Sequence, residues 1–413
     1  MTDNTFAASR LRRQPDLLTQ LVVGAGTRLL TWQPSGSLMI EMPSGRRVKF
    51  GQEGLYDAVL SLKNYRVITK SLRRGTLGFA DAYIAGDVEC SDLVSLFRFF
   101  VRNYHALQSS GRGLFRHSIA DRLRHLLRQN TRRGSRRNIT EHYDLGNAFF
   151  HKWLDEELVY SSALFGDNAT TLEDAQEAKL RTILQFLAIE PGMSLLDIGS
   201  GWGALALRAS RDHGARVTGI TLSHEQRAFA QERAEAQGLS DCCFKLQDYR
   251  DTKGRFDRLV SVEMIEAVGE ERWPLYFRTI HDRLKPGGMA IVQAITIAED
   301  HYSAYRRKTD FIQRYIFPGG MLPTKSIVSK LATDAGLRFE QLAEFGSSYA
   351  RTLNAWRLRF EARWPEIAAL GFDEGFRRKW RYYLAYCEAG FLDEVIDVGL
   401  YRLRRPAAST ITT

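Results

Sequence analysis

Leu195-Leu-Asp197-Ile-Gly199-Ser-Gly201-Trp-Gly203-Ala-Leu-Ala206 decides how this chain folds. Its first half, from Ser194, is a short apolar run of the kind that forms a buried strand. Three glycines follow at alternate positions. They let the backbone turn tightly and approach a ligand closely. A helix follows, and its N-terminus favours an anionic group. Outward from this stretch the same alternation repeats. Arg216-Val-Thr-Gly-Ile220 reads as a second strand, followed by a helix from about His224 to Ala236. Cys242–Leu246 and Asp257–Val262 read as a third and a fourth. Leu284-Lys-Pro-Gly-Gly288 is a turn that feeds a fifth strand, Met289–Gln293. Strands alternating with helices predict an α/β unit with a mostly parallel sheet, covered on both faces. Ligands of such sheets bind at the carboxyl ends of the strands.

Which nucleotide would the loop hold? Gly199, Gly201 and Ala204 fit the dinucleotide fingerprint in its alanine variant. That fingerprint wants an acid at the end of the next strand. Here the strand ends in Thr221-Leu-Ser-His-Glu-Gln226, and Glu225 would already lie in the helix. A carboxylate stands instead just before the loop, at Asp197. An acid in D-x-G-x-G is the S-adenosylmethionine pattern, and the balance favours the methyl donor.

The chain has 413 residues, 44% of them hydrophobic and 26% charged, which excludes wholesale disorder. No apolar run reaches the roughly 18 residues that cross a bilayer. The N-terminus has no apolar leader, and four cysteines make no disulfide framework, so a cytoplasmic setting is expected. The net charge of +10 is uneven. Between Gly111 and Asn138 stand nine arginines against one acid, Asp121. Within that run Ile119, Leu123, Leu126 and Leu127 share one helical face, predicting a short basic amphipathic helix. It suits an anionic membrane surface or packing on its own domain. Nucleic acid is disfavoured, because no zinc spacing or RNA-binding signature accompanies it. Residues 1–105 read as a smaller α+β unit. It has a hairpin turning at Pro43-Ser-Gly45 and helices from about Tyr65 to Leu72 and Asp92 to Tyr104. Residues 106–140 form a basic linker and 141–405 the larger unit.

Several stretches then identify a resemblance. Glu141-His-Tyr-Asp-Leu-Gly-Asn147, Tyr160-Ser-Ser-Ala-Leu-Phe165, Leu196–Gly203, Thr221–Gln226 and Gln247-Asp-Tyr249 come first. Ser261-Val-Glu-Met-Ile-Glu-Ala-Val-Gly269, Arg314-Tyr-Ile-Phe-Pro-Gly-Gly320 and Tyr382-Tyr-Leu-Ala-Tyr-Cys387 follow. In this order they resemble the cyclopropane-fatty-acyl-phospholipid synthases, S-adenosylmethionine-dependent methyltransferases with a Rossmann-like, seven-stranded sheet. The resemblance implies methyl transfer to a cis double bond in a phospholipid acyl chain. Loss of a proton then closes a cyclopropane. For the N-terminal unit it implies lipid engagement or a homodimer contact. The basic linker, with the mixed basic and apolar stretch Tyr302–Pro323, adds the expectation of an enzyme held peripherally on the inner, anionic membrane surface.

The resemblance carries roles to particular positions. Tyr160, Ser161 and the loop Asp197, Gly199, Ser200, Gly201, Trp202 and Gly203 go to the methionine end of the cofactor. Thr221, Leu222, Ser223 and Gln226 go to the ribose side, and Asp248 and Tyr249 to the adenine. A bound bicarbonate would take the final proton, held by Ser162, Glu266, Gln293, the Ile295 backbone and Tyr349. Cys387 matches a cysteine proposed as catalytic, although methyl transfer needs no protein nucleophile. Phe149, Phe150, Tyr305, Tyr315 and Phe317 are aromatic faces able to stabilise a cation, or plain core. Tyr302–Pro323 mixes basic heads with apolar bodies, suiting either a lipid entrance or a cover on the sheet. The family commonly has Cys at Ser162 and His at Gln293. Ser and Gln can still hydrogen-bond an anion, but Gln cannot carry charge or relay a proton, so a methylene or methyl-branched product stands beside the ring. Two further readings stay open: a methyltransferase for a soluble substrate, and a silent membrane-binding module.

Overall fold

A computed structural model describes residues 35–51, 57–104 and 145–407. The basic segment 112–137 and the Glu141–Asp144 part of the first matching stretch lie outside the described residues.

The N-terminal unit begins with β1 (Leu38–Glu41) and β2 (Arg47–Phe50), paired antiparallel. They turn at the expected Pro43-Ser-Gly45, where Gly45 takes φ +80°. β3 (Ala58–Leu62) runs parallel to β1, and β4 (Val88–Cys90) closes the sheet in the order β2-β1-β3-β4. Between β3 and β4 runs α1 (Arg66–Ile84), longer than the periodicity predicted. It continues across a kink at Gly75, whose φ of +58° and ψ of −133° only glycine adopts at little cost. α2 (Leu93–Arg102) follows, capped by the Asp92 carboxylate on the Val94 N–H.

The larger unit is built on a seven-stranded sheet. In chain order its main elements are α3 (Leu172–Leu187), β5 (Ser194–Ile198), α4 (Ala204–His213), β6 (Arg216–Thr221), α5 (His224–Ala236), β7 (Cys242–Leu246) and β8 (Phe256–Val262). Then come α6 (Trp273–Arg283), β9 (Leu284–Ile297), α7 (Lys325–Asp334), β10 (Arg338–Glu344), α8 (Gly346–Ala362), α9 (Glu374–Leu392) and β11 (Ile396–Arg404). The sheet order is β10-β11-β9-β8-β5-β6-β7. Five strands are parallel, and β11 and β10 add antiparallel at one edge. β5 is buried from Leu195 to Ile198 because it is central and covered on both faces. The chain steps outward from β5 to β6 and β7, then returns to place β8 on the other side of β5. The reversal of strand order therefore lies between the ends of β5 and β8, where a parallel sheet opens a crevice.

The two units share one core. Phe97, Tyr83, Tyr382 and Phe311 pack edge and face, with the Phe311 and Tyr382 centroids 4.2 Å apart. Arg378 on α9 is buried under α1. Its guanidinium donates to the carbonyls of Tyr83 and Val88 and to Glu89, and lies 4.4 Å from the Tyr83 ring centroid. Asp393 accepts from Arg98 and Arg102 of α2. Tyr315 donates to Asp81 of α1.

The stretch 302–323 serves as packing. Phe311 and Ile316 are core residues, and Arg306 is paired with Glu270 at 2.8 Å. Of the two readings of that segment, the cover on the protein's own core describes its apolar side chains.

Candidate active site

The glycine loop leaves the end of β5 as the sequence predicts, but its glycines do different work. Gly199, Gly201 and Gly203 all take positive φ. A methyl group on Gly203 would come within 2.9 Å of Ala230 on α5 and Phe244 on β7, so this glycine serves packing. A methyl group on Gly201 would meet nothing within 4 Å. That open position, at the start of α4, is where a ligand can lie against the backbone. Asp197, immediately before the loop, is buried. Burial pushes its carboxyl up to about 7, against the pull of Lys179. Thr221 ends β6 and donates to the Gln226 side chain at 2.8 Å, while Ser223 caps α5 by accepting from the Gln226 N–H. Leu222 lies between them, in the turn from β6 to α5.

After β7, Asp248 accepts from both the Nε and an Nη of Arg250 at 2.8 and 2.6 Å. The pair is almost fully enclosed. Tyr249 stands beside it against Tyr276, its ring centroid 5.8 Å away. Its buried hydroxyl has no hydrogen-bond partner among the described residues. Trp202 is buried, donates to Asn147 Oδ1 at 2.7 Å and packs on Phe150 at 5.0 Å. Its indole thus fixes the loop to the segment before it. These residues fit S-adenosylmethionine: an open glycine cradle, buried acids at two strand ends and an aromatic edge beyond.

Tyr160, Ser161 and Ser162 lie on a loop that α3 holds in place. Gln176 donates to the carbonyls of Val159 and Ser161, and Lys179 Nζ donates to Ser161 Oγ at 2.8 Å. Lys179 is fully buried. Burial pushes its ammonium down to about 8, while Glu263, Asp155 and Asp197 counter that shift. Gln176 and Lys179 escaped the sequence analysis. The signal was there: both sit on the apolar stripe of α3 with Leu172, Ala175, Leu180 and Ile183. Polar residues at core positions need partners. Tyr160 shares a 2.9 Å hydrogen bond with Tyr383 and stands against Trp356, Trp153 and Phe150.

The centre of the site is a residue to which the sequence analysis gave no role. Glu263 directly follows β8 and has φ +48°, a left-handed backbone rare outside glycine and costing on the order of 1 kcal/mol. This turn aims its carboxylate at three donors. Oε1 accepts from the Ser162 N–H at 2.8 Å and from Gln293 Nε2 at 2.7 Å. Oε2 accepts from Tyr349 Oη at 2.6 Å. Glu263 lies deep in the fold yet keeps part of its surface accessible. Burial pushes its carboxyl up, and Tyr349, Ser162, Lys179 and Gln293 oppose that rise. Glu266 lies one turn further on. It accepts from the Ile295 N–H at 2.6 Å, and its second oxygen is buried without a partner among the described residues. Burial, then the charge of Glu263, pushes it up to about 8. Three donors thus favour the ionised form of Glu263, whereas Glu266 has only the Ile295 N–H among the described residues.

Ser162, Gln293, Ile295, Tyr349 and Glu266 do come together, but they do not fit the bicarbonate that the resemblance implied. The Ser162 and Ile295 N–H groups, the Gln293 amide and the Tyr349 phenol all donate to protein carboxylates. The Ser162 hydroxyl is turned to the Ala163 carbonyl. Cys387 sits on α9, and burial pushes its thiol up, so it stays neutral. Phe149 and Phe150 are fully buried among Trp153, Trp380 and Trp202. Phe317 packs at 6.3 Å from Tyr383, and Tyr305 accepts from Gln313.

A family model described as mycolic acid cyclopropane synthetase matches residues 130–400. Tuberculostearic acid methyltransferase UfaA1 of Mycobacterium tuberculosis is 39% identical over 346 residues, 81% of this chain and 80% of its own. The cyclopropane-fatty-acyl-phospholipid synthase of Escherichia coli K12 is 37% identical over 347 residues, 82% of this chain and 85% of its own. Among solved structures, mycolic acid cyclopropane synthase CmaA1 complexed with SAH and CTAB superposes with a TM-score of 0.61. It is 31% identical and covers 65% of this chain and 98% of that one.

Proposed function

The chain belongs to the mycolic acid cyclopropane synthetase family of S-adenosylmethionine-dependent methyltransferases, and from that premise we propose that it methylates a cis double bond in a phospholipid acyl chain. One observation carries the proposal. The glycine loop after β5 and the carboxylate cluster after β8 follow the same ends of two adjacent parallel strands, at the reversal of strand order. A methyl donor on one side and a proton acceptor on the other is what alkylation of an alkene requires. S-adenosylmethionine supplies an electrophilic methyl on its sulfonium. Asp197, Thr221, Gln226, Asp248 and Tyr249 would hold it, and Lys179 fixes the Tyr160–Ser162 loop beside it. The alkene is a weak nucleophile, so the residues must align the partners and keep water out.

Ring closure is the first product reading, carried by the likeness to the bacterial cyclopropane synthase. A methyl-branched or methylene product is the second. The filled anion site around Glu263 favours it, as does the similar likeness to a relative named as a methyltransferase of tuberculostearic acid. Among the described residues no helix is long and apolar enough to cross a membrane. The arginines of 112–137 would attach the enzyme to the anionic inner surface, and salt would weaken that attachment. The N-terminal unit, docked on α9, would engage lipid or a second copy. The test is expression in a bacterium lacking cyclopropane activity, fed methyl-labelled methionine. Acyl chains heavier by about 14 mass units plus the label, one CH₂ each, support the proposal. Loss of the alkene in them indicates the ring, and its retention the second reading. Unlabelled lipid alongside intact cofactor binding would refute it.

A further inference from the structure

We propose that Glu263 is the catalytic base of this enzyme, a carboxylate built into the chain where the resemblance implied a bound bicarbonate. The inference rests on the methyl-transfer reading above and names the group that ends the reaction. Three observations carry it. First, Glu263 accepts from three of the residues assigned to that anion: the Ser162 N–H, the Gln293 amide and the Tyr349 phenol. Second, the count of lone pairs leaves room for a proton. A carboxylate offers about four acceptor sites, and three are used, two of them on Oε1. The free one is on Oε2, the oxygen that Tyr349 holds in place. Third, a glutamate stands where the backbone has φ +48°. Glycine would take that turn without strain; with glutamate there, the turn aims a carboxylate at those donors. Glu266, by contrast, accepts only from the Ile295 N–H among the described residues, and none of those three donors reaches it.

The step balances. The alkene π pair bonds to the methyl carbon as the carbon–sulfur bond breaks, leaving a neutral thioether and a cation on the other alkene carbon. Glu263 Oε2 then takes a proton: from the transferred methyl for the ring, from a carbon next to the cation for a methyl-branched alkene, or from the methyl after a 1,2-hydride shift for a methylene. The freed C–H pair becomes the new bond, either the ring bond or a double bond. Glu263, now neutral, returns the proton to water after product leaves.

The test compares wild type, Glu263→Gln and Glu263→Ala on vesicles of cis-unsaturated phospholipid with labelled S-adenosylmethionine. Each is run in carbonate-stripped buffer and with added bicarbonate. Wild type is expected to turn over equally in both. Glu263→Gln should lose at least about 100-fold in either, the usual contribution of a general base. Glu263→Ala should lose as much in stripped buffer and recover with added bicarbonate or formate, which fill the vacated donors. Nuclear magnetic resonance of ¹³C-bicarbonate should show binding to Glu263→Ala and none to wild type. Cofactor affinity should change in neither variant. If Glu263→Ala fails to fold, the isosteric Glu263→Gln and the wild-type bicarbonate series decide. Wild-type activity that falls without bicarbonate, or Glu263→Gln within a few-fold of wild type, overturns the proposal and leaves methyl transfer standing. Inactive wild type overturns both.

Discussion

Tyr349→Phe is the most informative single change near the base. It deletes one oxygen and leaves the ring stacked on Phe391, whose centroid is 4.5 Å away at 30°. What disappears is the 2.6 Å hydrogen bond to Glu263 Oε2. Bonds to a charged acceptor contribute roughly 1.5–3 kcal/mol, or a factor of about 10 to 100 in the ionisation equilibrium of that acceptor. The phenol itself does not titrate in the working range, because burial holds it well above its ordinary value. Its loss therefore acts on Glu263, whose carboxyl burial already pushes up. The base must be ionised to accept a proton, so activity rises with pH through its titration. Without Tyr349 the protonated form persists to higher pH, and the acid limb of kcat/KM moves upward. Lys179 and Glu266 also face this carboxylate and are unchanged in both enzymes. The assay is the pH profile of kcat/KM for wild type and Tyr349→Phe with cofactor affinity measured alongside. The variant should be slow near neutrality and approach wild type in base. A uniform loss at every pH, with the limb unmoved, would refute the reasoning.

Three further outcomes are expected. Gly201→Ala should fold with a loss of about 1–2 kcal/mol for its left-handed backbone and bind cofactor more weakly. Gly203→Ala, which must displace Phe244 and Ala230, should lose more stability; equal stability in the two would show that the glycines do not divide this way. Lys179→Met should cost about 3–5 kcal/mol in denaturant unfolding, because the buried carboxylates around it lose their countercharge, and an unchanged midpoint would contradict the cluster. Asp257 is held well below the usual carboxylate range by Lys285 and Ser194, against the push of burial. A depressed folded value gives a stabilisation that is full above the unfolded pKa near 3.9 and is lost as pH falls from there through the folded pKa. Asp257→Asn should therefore destabilise at neutral pH, with the gap narrowing in acid; a gap independent of pH would show that the charge is irrelevant.

Much of this molecule is written in local pattern. The strands β5 to β9, the loop between β5 and α4 and the hairpin at Gly45 follow from periodicity and glycine placement, which depend on near neighbours. The candidate site was legible where a residue sits at or near a strand end, as Asp197 and Thr221 do, whereas Gln293 lies inside β9, which runs past the expected end. Glu263 was not, because its role depends on one left-handed turn that rotates it toward Ser162, Gln293 and Tyr349, all distant in sequence. In the chain it is only an acid three residues before Glu266, inside Ser261-Val-Glu. Gln176 and Lys179 carried a readable signal, polar side chains on an apolar helical stripe, whose meaning depends on which loop packs there. The apolar residues of 302–323 read equally as lipid contacts or as core until α9 and the N-terminal unit are seen to cover them.

The most direct measurement is a high-resolution structure of the enzyme with S-adenosylhomocysteine and an acyl-chain analogue, grown in bicarbonate. The account predicts the Glu263 carboxylate between Ser162, Gln293 and Tyr349, its free Oε2 site facing the acyl chain, with no separate trigonal anion. Glu263 turned away, with a planar three-oxygen anion on those same donors, would contradict it.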